Sequence, residues 1–107
     1  MLAYYRELAA NHGDIEPTQA FARAFVVPGM THCSGGPATD TFDSIQAMVD
    51  WVEQGKAPDR INASAAPNQT SFRGRTRPLC PYPRYARYSG SGSGSVEDGA
   101  SFVCALP

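Results

Sequence analysis

One run of residues limits the fold of this chain more than any other. Ala24-Phe25-Val26-Val27 is apolar without interruption, is preceded by Phe21 and Ala22, and stops at Pro28-Gly29. A strand that is apolar at successive positions offers no face to water. It suits the inside of a parallel sheet covered on both sides. Phe21 to Val27 is therefore predicted to be a buried strand.

Its flanks read as helices. Over residues 1–12, Leu2, Tyr5, Leu8, Ala9 and His12 recur at helical spacing, and Gly13 is a suitable stop. Asp14 to Gln19, with Pro17, reads as a loop, and so does Met30 to Thr39, rich in Gly, Ser and Thr. A second helix is predicted over Thr41 to Gln54. Asp40 or Thr41 is placed to cap it, Asp43 falls in its first turn, and Gly55 and Pro58 end it. Phe42, Ile45, Met48, Val49 and Val52 form its expected buried stripe, with Trp51 beside them.

Helix, buried strand, loop, helix is one unit of an α/β sheet. One unit cannot cover both faces of such a strand, so the sheet is expected to be incomplete within this chain. Beyond residue 60 the pattern shifts to short extended pieces. These are Arg60 to Ser64, Arg75 to Arg77, Pro81 to Pro83, Tyr85 to Tyr88 and Phe102 to Cys104, with a Ser/Gly-alternating stretch, Ser89 to Ser95, expected to be flexible. The expected division is an α/β segment over 1–60 and a loop- and strand-rich extension of the same domain over 61–107.

A formal net charge of -1 gives no reason to expect a nucleic acid or an anionic membrane as partner. The longest apolar run is far shorter than a membrane span, and the first residues lack the basic and apolar regions of a signal peptide. The cysteines are three: Cys33, Cys80 and Cys104. Either all three are reduced and buried, or Cys80 pairs with Cys104 and Cys33 bonds to something outside the chain.

Chemistry concentrates in Val26-Val27-Pro28-Gly29-Met30-Thr31-His32-Cys33-Ser34-Gly35-Gly36. Here a histidine follows a buried strand in a Gly-rich loop, and a helix comes next. Open α/β sheets gather their active residues at the carboxyl ends of strands. From spacing alone, a surface loop residue and a catalytic base both remain open.

The string Phe25 to Gly36 closely resembles the catalytic-histidine motif of the tannase/feruloyl esterase family, of the form F-x-V-P-G-M-x-H-C-x-G-G. The likeness continues through Phe42-Asp43, Met48 to Glu53, Gly55 to Ile61, Arg75 to Pro83, Ala86 to Tyr88 and Phe102 to Cys104. Ala65 to Arg73 is the stretch least alike.

The resemblance implies the C-terminal portion of an α/β-hydrolase: last core strand, catalytic-histidine loop, helix, and a disulfide-closed tail. It implies that His32 is the general base of a serine esterase acting on small aromatic esters such as those of gallate or ferulate. It implies that Cys33 is joined to a cysteine beside the nucleophilic serine, and that the parent is secreted or periplasmic.

The family's serine, triad acid and calcium-bearing lid lie upstream of the matching stretch, and none is found here. The remaining N-terminal part of the domain is thus the expected partner, no cofactor is expected of this chain, and the chain alone is expected to be inactive. The alternative is a non-catalytic interaction piece or a truncated reading frame that docks on the rest of the domain.

Other signals are weaker. Asp14, Asp40 and Asp43 suit loop or capping roles better than that of triad acid. The cysteines with His12 and His32 lack zinc-site spacing. Arg73, Arg75, Arg77, Arg84 and Arg87 alternate with Tyr82, Tyr85 and Tyr88, a pattern that single-stranded nucleic acid could use, but acidic residues elsewhere balance the charge. Asn62-Ala63-Ser64 and Asn68-Gln69-Thr70 are glycosylation sequons, meaningful only in a eukaryotic secretory pathway.

Overall fold

A computed structural model describes residues 1–107. Helix α1 spans Leu2–Asn11, a short helix α2 spans Ile15–Thr18, and α3 spans Ser44–Gln54. Four short strands follow: β1 (Ile61–Ser64), β2 (Thr76–Leu79), β3 (Tyr85–Tyr88) and β4 (Phe102–Ala105), with a 3-10 turn over Gly99–Ser101. β1 pairs antiparallel with β2, Ile61 opposite Leu79, and β3 pairs antiparallel with β4, Tyr85 opposite Ala105. The sheets are small and partial.

The strand predicted over Phe21 to Val27 is corrected to a single bridge, Phe25 against Pro81, extended by the Tyr82 N–H donating to the Ala24 carbonyl at 2.8 Å. Only residues 81–82 lie alongside, and Pro81 has no N–H to carry a ladder further. Val26 is left 44% exposed. The loop predicted at Asp14 to Gln19 contains α2, because the Asp14 carboxylate accepts from the Ile15 N–H at 2.7 Å and caps a turn that tolerates Pro17 near its start.

α3 begins at Ser44 rather than Thr41. Thr41 is drawn into a two-way backbone pairing with Ser64, and the Asp43 carboxylate caps the helix by accepting from the Gln46 N–H at 2.8 Å. Gly55 closes it in a left-handed conformation. The predicted buried stripe is not buried. Ile45, Met48 and Val52 are 77%, 56% and 76% exposed, because no element of this chain lies over that face. Trp51 is half-buried and takes the Arg23 guanidinium at 5.4 Å from its ring centroid.

The core that does form is small. Fourteen of 107 residues are buried, and the apolar ones are mostly alanines, with Tyr5, Leu79 and Cys80. Contacts to Tyr82 join the helical first half to the strands. The Arg6 Nε donates to its hydroxyl at 2.8 Å, Gln19 Nε2 donates to its carbonyl at 2.8 Å, and Tyr5 meets its ring edge-on at 6.2 Å. Burial raises the Tyr5 hydroxyl above its ordinary pKa, against the opposing pull of Arg23; that hydroxyl donates to the Ala22 carbonyl.

Cys80, at the end of β2, is joined by a disulfide to Cys104 in β4, with Cα atoms 5.6 Å apart. The bond links the two sheets. Ser89 to Ser95, expected to be flexible, is laced to its surroundings: Tyr88 Oη donates to the Gly94 carbonyl, Ser91 Oγ to the Ala100 carbonyl, and Ser93 Oγ to Asp98.

Candidate active site

The loop after Val27 is a tight construction of glycines. A Cβ on Gly36 would strike the Gly29 carbonyl oxygen, and a Cβ on Gly29 would stand 2.6 Å from the Pro37 carbonyl oxygen. Only glycine allows those two backbones to touch. From this base projects a hairpin. The Thr31 N–H donates to the Gly35 carbonyl at 3.1 Å, and the Thr31 hydroxyl donates to the Ser34 carbonyl. His32 and Cys33 sit between these closures, both exposed, Cys33 with a free thiol and a left-handed backbone at φ 68.

His32 makes no side-chain hydrogen bond or ion pair within the chain, and the structure gives each candidate acid another task. Asp14 caps α2, Asp43 caps α3, and Asp40 Oδ2 accepts from the Gly35 N–H at 2.7 Å. The second histidine, His12, is engaged with the Leu8 carbonyl through Nδ1 and with the Phe21 ring. No three His, Cys, Asp or Glu side chains come together as a donor set for a metal ion.

Sequence reasoning missed Gln69, whose amide nitrogen donates to the Gly36 carbonyl and props the hairpin base from the loop after β1. No signal pointed to it, since it lies in the stretch least like the family. Two arginines of the arginine-tyrosine stretch serve the fold. Arg75 grips the Glu97 carboxylate with two nitrogens at 2.6 and 2.7 Å and stacks on Phe72 at 3.6 Å, while Arg77 lies over Phe102 at 4.1 Å. An apolar groove of about 810 Å³ runs from Val26, Pro28 and Ala38 at the loop base to Leu79 and Tyr85.

Helices, small partial sheets and a histidine carried on a glycine-built hairpin are an arrangement that this chain shares with solved esterases. A crystal structure of an esterase from Aspergillus oryzae superposes with a TM-score of 0.78 at 32% identity, over 96% of this chain and 23% of that one. Feruloyl esterase B from the same organism superposes at 0.71 with 29% identity, again over 96% and 23%. The profile of the tannase and feruloyl esterase family matches residues 1–105, and the chain belongs to that family. Mono(2-hydroxyethyl) terephthalate hydrolase of Piscinibacter sakaiensis is 52% identical over 105 residues, which is 97% of this chain and 17% of the relative. The chain thus spans about a fifth of the length of the proteins it matches.

Proposed function

We propose that this chain supplies the catalytic histidine of a serine-type carboxylic ester hydrolase acting on esters of aromatic acids, in the manner of the tannase and feruloyl esterase family. In this reading it forms the C-terminal part of an α/β-hydrolase domain. The observation that carries it is His32, standing exposed at the tip of the glycine-built hairpin within a family match that runs from residue 1 to residue 105.

The imidazole takes the proton from a serine hydroxyl as its oxygen attacks the ester carbonyl. It returns that proton to the leaving alcohol as the tetrahedral intermediate collapses to an acyl-serine. Water, deprotonated by the same ring, then attacks the acyl-serine, and the ring gives that proton to the serine oxygen as the acid leaves. The serine and the acid that orients the ring come from the rest of the domain, since Asp14, Asp40 and Asp43 are all otherwise engaged.

Cys33 joins a cysteine next to that serine and so tethers base to nucleophile. The Cys80–Cys104 bond supports an oxidising compartment, secreted or periplasmic. The family's calcium belongs to the lid, outside this chain. The names of the relatives support an aromatic acid as the acyl group, of the ferulate or terephthalate kind.

The test is a chimaera in which residues 1–105 replace the matching segment of the Piscinibacter hydrolase. Aromatic ester turnover is expected, with loss of at least ~10³-fold in His32→Ala. The purified 107-residue chain alone is expected to show none. Hydrolysis by the chain alone that His32→Ala abolishes, or a chimaera indifferent to His32, refutes the assignment. A second reading, a piece that docks without catalysing, is favoured by the bare apolar face of α3; a chimaera that folds and stays active with His32→Ala is its signature.

A further inference from the structure

We infer that Asp40 is a positioning residue for His32, acting through the backbone of Gly35; this rests on His32 being the base proposed above. One residue, Gly35, closes the hairpin on both sides. The Gly35 carbonyl accepts from the Thr31 N–H at 3.1 Å, and the Gly35 N–H donates to Asp40 Oδ2 at 2.7 Å. Between Thr31 and Gly35 stand His32, Cys33 and Ser34. Both the His32 and the Cys33 side chains are exposed and make no hydrogen bond or ion pair within the chain. The orientation of the imidazole therefore depends on that double closure.

Three features assign the outer closure to the Asp40 carboxylate. It is not needed as a helix cap, since Asp43 fills that place. It is fixed from behind: Thr39 is buried, and Thr41 is paired both ways with Ser64 of β1. Its other oxygen, Oδ1, is shielded from water without a partner. A carboxylate oxygen withdrawn from water is costly, and the charge-assisted bond that its twin accepts offsets part of that cost. Asp40 thus ties the hairpin to β1, while Gln69 braces the base from the opposite side through the Gly36 carbonyl. A base displaced by about 1 Å loses on the order of 10²-fold in rate, so such a tie matters to catalysis.

The experiment uses the ¹⁵N-labelled 107-residue chain. In the wild type and in Asp40→Asn, which keeps an oxygen for the Gly35 N–H, the His32 and Cys33 amides are expected near the rigid order parameter of ~0.85. In Asp40→Ala they are expected below ~0.6, with α3 and β1 unchanged. Should the alanine variant lose its fold, Asp40→Ser takes its place, with a hydroxyl too short to reach Gly35. Unaltered order at His32 in the alanine or serine variant overturns the inference. So does an asparagine variant as loose as alanine.

In the chimaera, Asp40→Ala is expected to lower kcat by about 10- to 100-fold at constant KM, with Asp40→Asn recovering most of it. The two failures separate cleanly. Indifference to His32→Ala sinks the base and leaves the hairpin result standing, whereas a His32-dependent enzyme with an unmoved Asp40→Ala sinks only the tie.

Discussion

Removing the Cys80–Cys104 bond should cost this protein more than any surface change. The bond spans a sequence separation of 24 residues and joins the residue after β2 to β4, so it cross-links the two sheets in addition to the backbone between them. Restricting a loop of that length in the unfolded chain stabilises by about 3.5 kcal/mol on the chain-entropy account. At the usual unfolding entropy per residue, a chain of this size converts that into a fall in Tm of about 15 °C. The effect weighs heavily because only 14 of 107 residues are buried and most of the apolar ones are alanines.

The assay is thermal unfolding by circular dichroism of Cys80→Ala/Cys104→Ala against the parent, both carrying Cys33→Ser to prevent exchange. Reductant should move the parent towards the double variant and leave the variant where it is. A difference under about 3 °C would show that the hairpins hold each other without the sulfur link, and that the loop-restriction reasoning fails here.

Three further outcomes follow from the geometry. Asp43→Ala deletes the cap on α3 and should cost about 1 kcal/mol, read as a Tm fall of about 5 °C. Glu97 is held below the ordinary carboxylate range by the Arg75 hydrogen bond, and Asp98 by the Ala100 N–H and then by Ser93. Both pKa values are lower folded than unfolded, so their stabilisation is present above the ordinary values near 4 and lost as pH falls through the folded ones. Glu97→Gln should flatten the acid limb of a stability-versus-pH curve, and an unchanged slope would refute the ion pair's role. Ile45→Glu with Val52→Glu should leave the Tm of this chain within about 2–3 °C, since both side chains are already in water, yet abolish turnover by the chimaera.

Local signals were legible in the sequence where they depend on neighbours in sequence. The helix over Leu2–Asn11, the stop at Gly55 and the extended pieces at 61–64 and 85–88 all follow from periodicity and from Gly and Pro placement. What failed needed atoms from afar. Phe25 and Val26 read as a two-faced core strand, but within this chain they find only Pro81 and Tyr82. Ile45, Met48 and Val52 carry the right spacing for burial and meet no covering layer. Thr41 left the helix because Ser64, more than twenty residues on, claims its backbone. At the candidate site, the motif singles out His32 and Cys33 in the sequence, whereas the hold of Asp40 on Gly35 and of Gln69 on Gly36 is a product of the folded loop.

The backbone at Cys33 carries a consequence of its own. Its left-handed twist suits glycine, and a residue with a Cβ is disfavoured there by ~1–2 kcal/mol. The turn would relax if the side chain were deleted, yet the chain keeps a sulfur on that pedestal, aimed at solvent. If Cys33 is joined to a second segment as proposed above, that bond would fix the corner beside His32 in place.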